Sequence, residues 1–206
     1  MASKDRIQRI KEENRCNILS AAHQIAKEEG WTSLSMRKIA DKIEYTAPII
    51  YEYFQNKEAI LFELSKKGYL MLSEKTYKAR ENHTDPAQQL EAMWLAYWDF
   101  AFDEPELYQL MFGVRVECCQ MAEFPSCYQA PKDMIKDTIR ALMEQYGIRD
   151  EELVCRKYYT FWSVIHGLIS INFVRKELSD EMNREVFKDA VRGIIHSIKT
   201  NFTVES

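Results

Sequence analysis

Residues 35–60 read SMRKIADKIEYTAPIIYEYFQNKEAI, a stretch that predicts two short helices joined by a tight turn. Ser35 is a residue type that accepts hydrogen bonds from the first N–H groups of a helix, so we expect a helix over 36–42. After a break of two residues, Thr46 is expected to begin a second short helix in the same way. Pro48 is compatible with its first turn, because the N–H that proline lacks would have no intrahelical partner there.

A longer helix is predicted before this pair. Apolar residues recur at helical spacing from Arg15 to Glu29, and Gly30 is expected to end the helix. Three helices within residues 15–54, with a tight break between the last two, are what a helix-turn-helix needs to place one helix in the major groove of DNA. Many helical bundles share this spacing, so the spacing alone leaves both interpretations open.

Downstream, prolines, glycines and capping residues divide the chain into further helices. We expect these helices over 57–80, 86–102, 105–116, 132–146, 151–176 and 180–198. Pro125 and Pro131 are expected to bracket an irregular segment. Asp150 is the predicted N-cap of the long apolar helix, and Ser179 or Asp180 that of the last helix.

The composition also indicates long helices and few turns. The chain is 46% hydrophobic and 29% charged, and its 206 residues include only 6 Gly and 5 Pro. No flexible linker precedes the helix that begins at Lys57. The sequence therefore predicts an all-α protein with a small N-terminal domain at 1–56 and a larger helical domain at 57–206.

Charge is distributed unevenly along the chain. The formal net charge is -4, yet the residues through Glu58 carry ten basic and nine acidic side chains. Any contact with nucleic acid must therefore be local, because the protein as a whole does not attract a polyanion.

The cysteines and the N-terminus indicate the compartment. No CxxC pair occurs among Cys16, Cys118, Cys119, Cys127 and Cys155, and the first eleven residues are charged where a signal peptide would be apolar. No apolar run approaches the ~20 residues of a membrane-spanning helix. We expect a protein of the reducing cytoplasm without a membrane partner.

The residues of the 35–60 stretch resemble the signature of the TetR family, and the helix from Ile18 to Gly30 lies where that family has its first helix. The resemblance implies a three-helix DNA-binding domain followed by a variable helical domain that dimerises and binds an effector. Further along, PELYQLMF at 105–112 and WSVIHG at 162–167 resemble the C-terminal domain of the subgroup named for its Trp-His-Gly pattern.

The resemblance also implies which residues contact DNA. Four of them are placed against base edges, namely Ala47, Pro48, Ile49 and Tyr51. Arg37 is placed near bases or backbone, and Ser35, Tyr53 and Lys57 fall at phosphate-contact positions, with Thr46 completing the set. A hydroxyl and an ammonium suit phosphate oxygens, and a guanidinium can bind guanine. The alternatives are that the two tyrosines are core aromatics and that the arginine is a solvated surface charge.

Two features depart from the family pattern. The family usually has Gly at the turn, in a left-handed conformation, whereas this chain has Glu44, for which that conformation costs roughly 1 to 2 kcal/mol. If the motif keeps its geometry, Glu44 must adopt positive φ. The first half of the recognition helix also lacks Gln, Asn and Arg, so Ala47 and Ile49 offer only apolar contacts. A helical adaptor that has lost DNA binding therefore stays an alternative.

The N-terminus carries a basic arm, Lys4, Arg6, Arg9 and Lys11. Such an arm could contact phosphates or enter a minor groove, or it could be a disordered, solvated tail.

Aromatic residues are dense between Met93 and Tyr128. The predicted effector-binding residues are Trp94, Trp98, Tyr108, Phe112, Tyr128, Trp162 and His166. Such side chains line apolar pockets, but they also fill ordinary cores, and the histidine could be a core residue bonded to a neighbour. The last two helices are more apolar than one core face requires, which predicts pairing across a twofold axis as a four-helix bundle.

The function expected from these features is a homodimeric transcriptional regulator, a repressor, that a small-molecule effector releases from a palindromic double-stranded DNA operator. A thiol-based redox sensor that uses Cys118, Cys119 and Cys127 is an alternative to ligand sensing. No nucleophile with a base and no set of metal ligands is evident around the four histidines, so we expect neither an enzyme nor a metal or other cofactor.

Overall fold

The computed structural model describes residues 2–113, 126–175 and 179–200, and within these ranges the chain is helical without any strand. This confirms the predicted all-α class. The α-helices are α1 (Ala2–Glu29), α2 (Met36–Lys42), α3 (Ala47–Tyr53), α4 (Lys57–Glu81), α5 (Pro86–Asp103), α6 (Pro105–Phe112), α7 (Ser126–Glu144), α8 (Glu151–Val174) and α9 (Asp180–Thr200). A short 3-10 helix, Trp31–Ser33, lies between α1 and α2.

The chain divides into two compact units. The first is Met1–Gly68 with Glu104–Glu123, and the second is Tyr69–Asp103 with Phe124–Ser206. The long helix α4 contributes residues to both units. The functional division into 1–56 and 57–206 is a separate matter and stays a prediction.

In the first unit, α1, α2, α3 and the start of α4 share one apolar core. Its fully buried side chains are Ile18, Ala22, Ile39, Ile50, Ile60 and Leu64. The predicted bounds of α2 are confirmed, and Ser35 caps it: the Lys38 N–H donates to the Ser35 hydroxyl at 3.2 Å.

Helix α6 belongs to the first unit. The Trp31 indole N–H donates to the Glu106 carbonyl oxygen at 2.9 Å. Gly68 lies against Met111 so closely that a Cβ at this position would force the methionine to move. These contacts hold α6 against the 3-10 helix and α4.

The predicted start of the first helix at Arg15 is wrong, as is the disordered tail, because α1 begins at Ala2. The additional turns have no apolar partner, and Ile7 and Ile10 are exposed. They consist of good helix formers and carry pairs at i, i+4, such as the hydrogen bond from Gln8 to Glu12 at 2.7 Å. Apolar periodicity cannot detect a helix of this kind.

In the second unit, aromatic rings on α5, α8 and α9 form the core. Trp94 stacks on Phe161 with ring centroids 5.5 Å apart and an interplanar angle of 20°. The ring centroids of Trp98 and Phe187 are 5.0 Å apart. Trp94, Phe161 and Phe187 are completely buried, so these rings fix the packing of the three helices.

The helix boundaries of the second half correct one prediction and confirm others. The segment between Pro125 and Pro131 is not irregular throughout, because α7 already begins at Ser126. A proline near a helix start removes one intrahelical hydrogen bond, a loss that this helix of 19 residues tolerates. The predicted N-caps are observed, since Asp150 accepts from the Leu153 N–H at 2.9 Å and Ser179 from the Met182 N–H at 3.2 Å.

Several predicted helix ends differ from the structure by up to two residues: α7 ends at Glu144 and not at 146, and α9 at Thr200 and not at 198. Helix α8 ends at Val174, somewhat before the predicted residue 176. Helix α6 ends at Phe112, and the predicted continuation to 116 lies outside the described residues.

Candidate nucleic-acid interface

The turn between α2 and α3 keeps the geometry of a helix-turn-helix. Glu44 has φ 58°, as predicted, and among the described residues no other amino acid except glycine has positive φ. The Tyr45 N–H donates to the Ala40 carbonyl oxygen at 2.9 Å, and the Glu44 N–H to that of Asp41 at 3.4 Å. This pair of bonds closes α2 in the way that a glycine usually allows, here with a strained glutamate.

Helix α3 has an inner face that is buried and an outer face that is open to solvent. Ile50 is completely buried and Phe54 nearly so. On the other side Thr46, Pro48 and Tyr51 are exposed, and two further residues, Ala47 and Ile49, are half-buried. Tyr51 retains 55% of its surface, so the alternative that it is a core aromatic is wrong.

Asn14 of α1 connects both ends of the recognition segment. Its side-chain amide donates to the Tyr53 hydroxyl at 2.8 Å, and its carbonyl oxygen accepts from the Tyr45 hydroxyl at 3.0 Å. Tyr45 lies in the turn and Tyr53 ends α3. One side chain of α1 therefore determines where α3 begins and ends relative to the rest of the unit.

Arg15 connects the C-terminal end of α3 to α4 through three contacts. Its guanidinium donates to the Tyr53 carbonyl oxygen at 3.4 Å and lies 4.4 Å from the centre of the Phe54 ring. It also forms an ion pair with Glu63 of α4 at 2.9 Å. Asn14 and Arg15 were missed by the sequence analysis. The signal available for Asn14 was its place in the same helical stripe as Ile18, where an apolar residue would be expected.

The remaining predicted DNA contacts are held in different ways. Arg37 is highly exposed and lies 3.9 Å from Asp41, one helical turn away. Ser35 is exposed, although its hydroxyl already caps α2. Lys57 is half-buried, and its ammonium donates to the Trp31 carbonyl oxygen at 3.1 Å. An ammonium has three donors, so this bond leaves capacity for a phosphate.

Two ion pairs fasten α2 to α1. Lys38 contacts Glu29 at 2.5 Å and Lys42 contacts Glu28 at 2.7 Å. The hydrogen bond from Lys42 holds the pKa of Glu28 below its usual range. Both lysines thus form ion pairs within the protein, at positions that are partly exposed.

The residues predicted to bind an effector fall in both units. Tyr108 and Phe112 lie on α6 in the first unit, with ring centroids 4.7 Å apart. Trp94 and Trp98 belong to α5 in the second unit, and Tyr128 lies on α7 with its side chain outside the described residues. Trp94 is buried, and its indole N–H has no hydrogen-bond acceptor among the described residues.

The Trp162 and His166 pair lies on α8. The two rings are parallel to within 9°, with centroids 5.0 Å apart. Burial lowers the pKa of His166 from its ordinary value. The imidazole is therefore favoured in its neutral form, which has one donor and one acceptor nitrogen.

The cysteines of the redox alternative cannot be placed. Cys118 and Cys119 lie outside the described residues, as does the side chain of Cys127. Cys16 is exposed and Cys155 is half-buried, both as free thiols. In the described ranges, no cluster of side chains could hold a metal ion, and none of the helices is long and apolar enough to cross a membrane.

Two family models match this chain. One, described as bacterial regulatory proteins of the tetR family, matches residues 18–64. The other, described as a tetracyclin repressor-like C-terminal domain, matches residues 90–193. The chain belongs to the TetR family. Assignment to the Trp-His-Gly subgroup stays a prediction.

The relatives include both a transcriptional activator and a transcriptional repressor. The transcriptional activator FasR of Mycolicibacterium smegmatis is 26% identical over 102 residues, which are 50% of this chain and 47% of FasR. The transcriptional repressor NicS of Pseudomonas putida is 28% identical over 97 residues, 47% of this chain and 46% of NicS. This TetR-family chain thus spans about half the length of the curated relatives it matches.

A solved structure extends the likeness of this TetR-family chain to nearly its whole length. Thermus thermophilus FadR, a TetR family transcriptional repressor in complex with lauroyl-CoA, has a TM-score of 0.61 at 15% identity. The match covers 93% of this chain and 96% of that chain. At this level of identity the likeness concerns the fold.

Proposed function

We propose that the protein is a DNA-binding transcriptional regulator that acts as a repressor and is released by a small-molecule effector. The observation that carries the proposal is the outer face of α3. It exposes Thr46, Pro48 and Tyr51 on a helix whose other face is buried and whose preceding turn keeps Glu44 at positive φ. A short helix held in this way can enter the major groove without distortion of the domain that carries it.

The contacts in the groove divide by chemistry. Ala47 and Ile49 offer methyl groups to thymines, and Pro48 and Tyr51 contact base edges beside them. Tyr53 accepts a hydrogen bond from Asn14, so its own proton can be donated to a phosphate. The phosphate contacts of Ser35, Thr46 and Lys57 and the base or backbone contact of Arg37 complete the interface.

Binding to the DNA upstream of the chain's own gene tests the proposal directly. A gel shift should show a specific complex that competitor DNA of unrelated sequence does not displace. A helical adaptor without DNA binding would give no complex at any protein concentration.

Lys57 provides a sharper test. Because a phosphate contact carries no base information, Lys57→Ala should weaken binding to all DNA sequences alike and lower the salt slope by about one. Lys57→Arg should restore the slope, and Lys66→Ala, which removes an exposed lysine further along α4, is the matched control. An unchanged slope for Lys57→Ala would contradict the phosphate role.

An effector site in the helical domain is supported by the aromatic residues of α5 and by the Trp94 indole N–H, which finds no acceptor in the part of the chain that the structure describes. We propose the residues of the second unit, Trp94, Trp98, Trp162 and His166, as its lining, and the contacts of Tyr108, Phe112 and Tyr128 stay predictions. Helix α4 runs from the first unit into the second, and its displacement by a ligand is the proposed route by which α1–α3 rotate away from the operator.

Dimerisation through α8 and α9 is supported by exposed apolar side chains on both helices. Among the exposed residues are Ile171 and Val174 of α8 and Met182 and Val186 of α9. Gly193 of α9 has open space around it, which allows a partner helix to approach closely. We expect a twofold dimer that buries more than ~2,000 Å² and binds a palindromic operator. Light scattering at micromolar concentration should show a dimer, and a monomer would contradict the proposal.

The free thiols of Cys16 and Cys155 suit the reducing cytoplasm, which we propose as the compartment. We propose that the protein acts as a regulator without catalytic activity, because its named relatives are regulators.

A further inference from the structure

The second unit contains a cleft of about 560 Å³ between α5, the end of α8 and the start of α9. Such a volume is typical of small-molecule sites. Trp98 lines this cleft, whereas Trp94 does not, so the cleft is distinct from the packed rings around Trp94 and Phe161.

One wall of the cleft is aromatic. Trp98 and Phe102 line it with ring centroids 4.8 Å apart, and Phe173 supports Phe102 at 5.5 Å. Phe102 is 40% exposed although it belongs to this cluster of rings. Its uncovered face can pack against the apolar body of a ligand, or attract a positive charge.

The polar part of the lining combines neutral residues, Asn172, Ser179 and Asn183, with charged residues that are mainly acidic. It contains the carboxylates of Asp99, Asp103 and Asp180 and one guanidinium, that of Arg184. Arg184 contacts Asp99 at 2.6 Å, and Lys75 contacts Asp103 at 2.6 Å. Among the residues that the structure describes, the three carboxylates of the lining outnumber these two cations.

The two ion pairs are weak restraints. All four side chains retain between 38% and 59% of their exposure, and ion pairs at such positions contribute about 0–1 kcal/mol. A ligand cation can therefore replace Arg184 at Asp99 with little loss, while Arg184 turns into solvent. The protein's own cation occupies the place that a ligand's cation would take.

We propose that this cleft binds an organic cation that has an aromatic or bulky apolar body. The carboxylates of Asp99 and Asp180 attract its charge, and Trp98 and Phe102 pack against its body. The identification of this cation as the effector rests on the proposed function, whereas its binding does not.

The test uses two probes of the same shape and opposite charge, tetraphenylphosphonium and tetraphenylborate. Calorimetric titration of the chain in the absence of DNA should show that the cation binds and that the anion does not. Asp99→Asn and Asp180→Asn should each weaken cation binding by about threefold or more, as the loss of one partly exposed charge pair implies. Asp189→Asn, an exposed aspartate of α9 that does not line the cleft, should leave binding unchanged.

Arg184→Gln distinguishes a competing role of Arg184 from a purely structural role. Removal of the competing guanidinium should strengthen cation binding, whereas loss of a structural ion pair would weaken it or leave it unaltered. Preference for the anion, equal binding of both probes, binding of neither, or weaker cation binding by Arg184→Gln would overturn the inference. DNA binding of the same variants is measured in parallel, so that a failure of the proposed function is seen separately.

Discussion

Two places in the molecule, the outer face of α3 in the first unit and the ring cluster of the second, use aromatic side chains in opposite ways. In the first unit, Tyr51 lies in solvent and Tyr53 is half-buried, with its hydroxyl bonded to Asn14. In the second unit, Trp94 and Phe161 are completely buried in a stack of rings. The same residue class therefore forms a surface at the outer face of α3 and an interior around Trp94.

This difference limits the use of burial alone to identify a functional residue. Single exposed aromatic side chains are common on protein surfaces, and Tyr77, Tyr146 and Tyr159 are exposed here as well, so Tyr51 is distinguished by its place on the outer face of α3 and not by exposure alone. A buried aromatic side chain already has a structural role. The proposed effector residues of the second unit must therefore be tested by a measurement that separates binding from stability.

Trp94→Ala is the largest expected effect. Because its ring is completely buried, the substitution should reduce the free energy of unfolding by about 3–5 kcal/mol. Tyr51→Ala, at an exposed position, should change it by no more than about 0.5 kcal/mol, while operator affinity falls about tenfold. Chemical denaturation and a DNA titration of both variants measure the contrast.

Trp94→Phe is the control that retains an aromatic ring and removes the N–H. Since this buried donor has no acceptor among the described residues, loss of the N–H should cost nothing, and the smaller ring should reduce stability by only about 1 kcal/mol through the space that it leaves. If Trp94→Ala instead preserved stability, Trp94 would line a cavity and would not belong to the core, and the contrast between the units would fail.

Local chemistry explains which parts of the fold were predictable. The Ser35 cap and the positive φ of Glu44 follow from rules that act within a few residues, and both predictions are confirmed. The extension of α1 to Ala2 and the helical segment before Pro131 depend on exposed helix formers and tolerated defects, which leave no apolar pattern to read. The hydrogen-bond partners of Asn14 lie 31 and 39 positions further along the sequence, a separation that no local rule covers.

Asn14→Ala should have the next largest effect. It removes two hydrogen bonds, so stability should fall by about 1–3 kcal/mol. DNA affinity should fall as well, because the ends of α3 lose their common anchor. Asn17→Ala, an exposed position on the same helix, is the control. If stability fell and the affinity of the folded variant stayed the same, Asn14 would serve folding and not the position of α3.

Glu44→Gly should act in the opposite direction and more weakly. Glycine relieves left-handed strain of roughly 1 to 2 kcal/mol, and its greater freedom in the unfolded chain offsets part of this gain. We expect stabilisation by about 1 kcal/mol or less, measured by thermal and chemical denaturation. Glu44→Ala keeps a Cβ and should not be stabilising. A destabilised Glu44→Gly variant would show that the strain is compensated by contacts of the glutamate side chain.

The smallest expected effect is a dependence of stability on pH in which both units take part. Burial lowers the pKa of His166 in the second unit. In the first unit, burial and then Lys27 lower the pKa of His23, against the opposing charge of Glu104. A histidine whose folded pKa lies below its unfolded value binds fewer protons in the folded state, so stability rises with pH.

The contribution of each histidine should be fully present above the unfolded pKa, near 6.5, and should be lost as the pH falls from there through the folded pKa. Glu28 and Glu74 have lowered pKa values as well, but their contributions disappear only below the ordinary carboxylate range, which separates the two windows. Denaturation between pH 7.5 and about 5 should therefore show a decline that His23→Gln and His166→Gln each reduce. His83→Gln, at an exposed position, is the control. An unaltered decline in His166→Gln would mean that the folded chain accommodates protonation of this half-buried ring beside Trp162.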